Sequence, residues 1–248
     1  MSYSDVEHFA TMVSGCESLA YGNVNSGNAR YAMTVLQLHA GDAGLVAGQE
    51  GFLDHVKKGA KKAKEWVIAL VQAVRAWLKD KYKFAVEKAM KYLMGGPEGM
   101  VRHAAITKIA GKLEALDKAY ATLESSEDLK DANLSTSFSG PRGIIDKLLK
   151  SLTTEFSTKT FFADLDKLSN QTAAKINDFT DTAERLAKAI PTDLSASDYD
   201  EKSKRAMGMS TPINVLTGPM ESLGRAIIEL SKTAKEQGAL KDEKKDDE

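Results

Sequence analysis

The stretch "GFLDHVKKGAKKAKEWVIALVQAVRAWLKDKY", Gly51–Tyr82, decides the fold. At about 100° per residue, the helical period, Trp66, Val67, Leu70, Val71, Val74, Trp77 and Leu78 fall in one arc. Lys57, Lys58, Lys61, Arg75, Lys79 and Lys83 fall on the opposite side, with Ile68 as the exception lying among the bases. Apolar residues on one face and bases on the other describe an amphipathic helix. The pattern predicts one long helix over residues 52–93, ended by "GGPEG" at 95–99.

The same period recurs on both sides of this stretch. Two modest helices are expected near 3–20 and 28–40, joined by the turn-rich "YGNVNSGN" (21–28). Ile109, Leu113, Leu116, Tyr120 and Leu123 step by threes and fours, and "ANLSTSFSGPRG" (132–143) reads as a linker. Phe161, Leu165, Leu168, Ile176, Phe179, Ala183, Leu186 and Ile190 keep one face, with Thr172 in the single gap and Pro191 as the stop. That is coiled-coil-like spacing with a stutter. A last helix is expected after "TGP" (217–219), carrying Met220, Leu223, Ile227 and Leu230. No segment of length alternates as a strand would. The expected fold is all-α, with long amphipathic helices packed as an elongated helical bundle. Its regions are an acidic N-terminal segment 1–50, a basic helical region 51–131, the linker 132–143, a bundle region 144–237 and a solvated tail 238–248.

Composition narrows the function classes. The 248 residues are 42% hydrophobic and 28% charged, enough for a core and a solvated surface. Cys16 is the only cysteine, which excludes an intramolecular disulfide and a Cys-based zinc site. The first residues, "MSYSDVEHFATMVSGC", carry acids where a secretory signal needs bases. The longest apolar-rich run, Trp66 to Leu78, spans 13 positions and includes Gln72 and Arg75. It is too short and too polar to cross a bilayer, so the chain reads as soluble and intracellular in type.

A search for catalytic chemistry finds no pattern. His8, His39, His55 and His103 are scattered, with none at metal-ligand spacing from another histidine or the cysteine. Phosphate-loop, dinucleotide, zinc-protease and nucleophile-elbow signatures do not occur. "GGPEGM" (95–100) lacks a preceding strand and a lysine, and reads as a turn between helices. The expectation is a protein without catalytic, cofactor or metal sites.

Charge is the informative feature. Residues 1–50 hold five acids against one base, a net of −4, whereas residues 51–93 hold eleven bases against four acids, a net of +7. The sign changes at Glu50–Gly51. A basic row with Trp66 and Trp77 on one edge of the apolar arc suits two surfaces. It can meet phosphates without regard to sequence, or an anionic membrane interface.

An acidic segment, then "AGQE", then "GFLDHVKKGAKKAKEW" resembles the internal head proteins of large tailed bacteriophages. The resemblance covers residues 40–95 in detail and the rest only as long helices. It implies an N-terminal propeptide that a prohead protease removes by cutting after a glutamate. Here that site is Gly48-Gln49-Glu50, with Gly51 as the new N-terminus. Gly15-Cys16-Glu17 and Ser125-Ser126-Glu127 satisfy the same loose rule, and Glu50 is favoured by its place at the change of composition. The implied partners are the prohead protease, packaged phage DNA bound non-specifically, capsid or scaffold proteins, and a membrane contact after ejection. The implied location is the head interior, then the host cytoplasm. Loss of residues 1–50 would leave a remainder of net +3, freeing the basic helix from an acidic cover. The alternatives are a membrane-acting amphipathic protein, and a helical adaptor whose 161–190 face pairs with a partner protein.

Overall fold

The computed structural model describes residues 2–42, 62–79, 98–153 and 158–236. Among these the chain is all-α, without a strand. The helices are α1 (Tyr3–Ala20), α2 (Gly27–Asp42), α3 (Ala63–Trp77), α4 (Glu98–Glu124), α5 (Glu127–Asp131), α6 (Ser139–Thr153), α7 (Thr158–Lys188), α8 (Tyr199–Gly208) and α9 (Ser210–Glu236).

The chain forms two compact units. The first holds α1, α2, α3, α5, α8, residues 176–188 of α7 and 210–215 of α9. The second holds α4, α6, residues 158–175 of α7 and 216–236 of α9.

In the first unit, local signals set the ends of α1. The Ser2 backbone N–H donates to the Asp5 carboxylate, and the Asp5 N–H returns to the Ser2 carbonyl at 3.1 Å. Free N–H groups of the first turn are thereby satisfied. At the other end Gly22, with φ of +78°, turns the chain. The Asn23 N–H reaches the Ser18 carbonyl (2.9 Å) and the Gly22 N–H reaches that of Leu19 (3.1 Å), a Schellman closure. Asn133, at φ 58°, closes α5 in the same way through Leu134 to Leu129 (2.8 Å) and Asn133 to Lys130 (2.9 Å).

Helix α1 packs against α2, α3 and α8. Val6, Met12, Val13 and Cys16 of α1 are fully buried, as are Leu70, Val74 and Trp77 of α3. Gly15 sets the approach of α1 to α2. A Cβ there would fall well inside contact distance of the Asn28 carbonyl oxygen, so no larger residue fits without a shift.

In the second unit α4 packs on α6. The Arg142 guanidinium joins the two by donating to Asp117 (2.9 and 3.3 Å) and to Glu124 (3.0 and 3.1 Å). Its pKa is raised, first by the Asp117 hydrogen bonds and then by those to Glu124. Thr172, the gap in the apolar stripe of α7, is itself buried. Its hydroxyl accepts from Tyr120 Oη at 2.7 Å and donates to the Leu168 carbonyl at 2.9 Å. The gap is thus a satisfied polar contact within the core.

Two helix boundaries differ from the sequence reading, and one helix is added. The expected linker 132–143 is shorter, because α6 already begins at Ser139. Pro141 stands in the first turn, where its missing N–H would have had no intrahelical partner. The last helix starts at Ser210 and carries Pro219 inside it. Proline there removes one backbone bond, yet buried Leu216, Thr217, Met220 and Leu223 on either side hold the helix together. Helix α8 was not expected from the sequence. For the 52–93 helix, α3 and a π-turn at 78–79 are described, and the rest lies outside the described residues.

Candidate functional site

Helix α3 is the described part of the basic amphipathic stretch, and its two faces have different fates. The apolar arc is core. Val67, Leu70, Val71, Val74 and Trp77 are buried, while Trp66, Ile68 and Leu78 are half-buried. The Tyr3 ring of α1 stacks at a tilt on Trp77, with centroids 5.9 Å apart and planes at 53°. The N-terminal segment therefore lies directly over the indole placed at the boundary of the arc.

On the polar face Arg75 is already engaged within the fold. Arg75 donates to Asp181 Oδ1 and approaches Glu184 Oε2, both at 2.6 Å. Its pKa is raised, first by the hydrogen bond to Asp181 and then by that to Glu184. Glu184 is held below its ordinary value, first by Lys188 (2.6 Å) and then by Arg75. Two cations and two carboxylates thus balance within the first unit. Lys79 is exposed. Lys57, Lys58, Lys61 and Lys83 lie outside the described residues, as do the processing residues Gly48, Gln49, Glu50 and Gly51.

The two other tripeptides that fit the loose cleavage rule are placed differently. Gly15 and Cys16 are buried inside α1, where a protease has no access without unfolding the helix. Ser125 and Glu127 are exposed at the turn before α5, and Ser126 caps that helix by accepting from the Leu129 N–H at 3.4 Å. Exposed turns are the preferred sites of nicking.

Residues of the 161–190 stripe are taken up internally. Phe161, Leu165, Leu168, Ile176, Phe179 and Ala183 are buried and Leu186 is half-buried. That leaves little apolar surface on this face for an adaptor's partner. Among the described residues no group of acids, histidines and cysteine could hold a metal ion. No described helix is long and apolar enough to cross a membrane.

Sequence reasoning missed α1 as a cover for α3. The signal was present in Val6, Ala10, Val13 and Cys16, which repeat at helical spacing beside the small Gly15. It also missed the contact of Arg75 with Asp181 and Glu184. That pair sits three apart on one helix, but only the fold brings it to Arg75. Compared with known protein families, curated proteins and solved structures, the chain finds no match.

Proposed function

We propose that the protein is a structural, non-enzymatic component of a phage head interior, made with a propeptide that ends at Glu50. Freed of that segment, it associates with packaged DNA and is ejected with it into the host. The observation that carries this reading is the reversal of charge at Glu50–Gly51, from −4 over residues 1–50 to +7 over residues 51–93. Such a reversal gives the acidic part a reason to sit near the basic part during assembly, and gives cleavage an electrostatic consequence. The packing of α1 on α3 adds an apolar aspect, since the same segment that carries the acids also covers Trp77.

The test is the N-terminus of the protein recovered from particles, read by intact mass. A chain beginning at Gly51 supports the proposal, and one beginning at Met1 or Ser2 overturns the processing step. Salt separates DNA from membrane as the target. Phosphate binding weakens steeply with added salt, whereas apolar insertion persists. Binding to anionic vesicles that resists salt, without DNA binding at low salt, would replace the DNA assignment with a membrane-acting role.

A further inference from the structure

Helices α1 and α2 are joined by more than their turn. At Gly15 the Asn28 carbonyl and the Ala32 side chain of α2 close in on α1. The Asn28 side-chain amide donates to Ser14 Oγ at 2.9 Å, and His8 Nδ1 lies 2.6 Å from Tyr31 Oη. With the tight turn at Gly22, the pair is a helical hairpin with internal contacts of its own. On its other side α1 packs on α3 and α8, which also pack on each other. Tyr3 meets Trp77 there, and the Lys204 ammonium lies 5.1 Å from the centre of the Tyr21 ring. All of these residues belong to the first unit.

The hold between hairpin and groove is apolar. Val6, Met12 and Val13 of α1 and Leu70, Val74 and Trp77 of α3 have no exposed surface. Fully desolvated anchors of this kind carry most of the binding energy where two separate chains meet. Ion pairs do not supply it. Asp5 is bonded to Ser2 within its own helix, and Glu7 is exposed. Among the described residues no ion pair joins Asp5, Glu7, Glu17 or Arg30 to α3 or α8.

We propose that the hairpin of α1 and α2 stays bound after a cut at Glu50, as a separate peptide seated on α3 and α8, so that the processed first unit is a two-chain body. The proposal rests on the cleavage proposed above. Cleavage then removes a tether and leaves the cover in place. The acids of residues 1–50 depart only in a second step, when the hairpin is displaced from its apolar seat. That step exposes Leu70, Val74 and Trp77, so it needs another apolar surface or local unfolding, and added salt does not bring it about. A cover held by charge behaves in the opposite way, because surface attraction is screened within about 3 Å at about 1 M salt.

The test makes the cut itself. The full chain, with a site for a sequence-specific protease inserted directly after Glu50, is folded and then cleaved. Gel filtration with intact-mass detection follows in dilute buffer, in about 1 M salt and in denaturant. Both pieces should elute together at the size of the uncut chain in the first two, and separate only in the third. Should the folded chain resist the protease, cleavage in denaturant and joint refolding should restore the same two-chain species. Met12→Ala should speed escape of the peptide from the cut protein by at least about tenfold, while the tether keeps the uncut variant assembled. Val13→Ala serves in its place if that variant does not fold. Glu7→Gln, at an exposed acid of α1, should leave the escape rate unchanged. A peptide that elutes alone in dilute buffer, leaves in about 1 M salt, fails to re-form the complex on refolding, or escapes no faster after the α1 core substitution overturns the two-chain body. The N-terminus found in particles does not enter these outcomes. A particle chain beginning at Met1 would sink the cleavage reading and leave the measured docking as it stands.

Discussion

Producing residues 51–248 without ever folding them against residues 1–50 should damage the first unit, not merely uncover a basic surface. Helix α1 contributes four fully buried side chains of size, Val6, Met12, Val13 and Cys16. At about 1.5–3 kcal/mol for burying one large side chain, the gross loss is roughly 6–12 kcal/mol. A domain's whole net stability is about 5–15 kcal/mol, so this loss reaches that range before α2 is counted. The figure is an upper bound, since the unfolded chain already hides part of this surface. Even half of it would leave Trp77, Leu70 and Val74 facing water or seeking another apolar surface.

The assay compares 51–248 with 1–248 by indole emission, near-UV dichroism and binding of a hydrophobic dye. The truncated chain should show red-shifted tryptophan emission, weaker near-UV signal and strong dye binding, while far-UV dichroism keeps the helices of the second unit. The full chain cut after folding should keep native spectra for as long as 1–50 stays docked. A truncated chain with native near-UV spectra and a shielded Trp77 would refute the assignment of α1 as core.

Much of the fold was legible because its determinants are local. The spans of α1 and α2, the apolar arc of α3 and the stripe of α7 all follow from spacing visible in the residues themselves. Boundaries failed where a residue's usual meaning depends on context. Pro219 reads as the break from which the last helix starts, but buried neighbours on both sides carry the helix through it. Thr172 reads as a gap, but Tyr120 converts it into a satisfied contact. The pairing of Arg75 was hidden for the same reason. Arg75 lies on the correct side of the helix for a phosphate row, yet its partner Asp181 is 106 positions away in the chain. Periodicity assigns a side chain to a face. It does not say what that face meets.

Gly15→Ala should cost about 1–3 kcal/mol, the range for forcing extra volume into a packed site, because the new methyl meets the Asn28 backbone carbonyl. A melting temperature equal to wild type would deny the close approach of α1 and α2. Thr172→Val should cost more than Tyr120→Phe. The first strands the buried Tyr120 hydroxyl, at about 1–3 kcal/mol, whereas the second leaves Thr172 still donating to Leu168. Equal losses in chemical denaturation would contradict that network. The last prediction separates the bases of the amphipathic stretch. In protein cleaved after Glu50, replacing Lys57, Lys61 and Lys79 with Gln should flatten the salt dependence of duplex-DNA binding. The log–log slope should shrink by about 0.9 for each phosphate no longer neutralised. Arg75→Gln should leave that slope unchanged, because its guanidinium is already spent on Asp181 and Glu184. It should instead lower stability by up to about 1 kcal/mol, as expected for a part-exposed ion pair. A slope that flattens as much for Arg75→Gln as for a lysine replacement would mean that the guanidinium leaves its carboxylates for DNA, and that the helix offers its bases as one row after all.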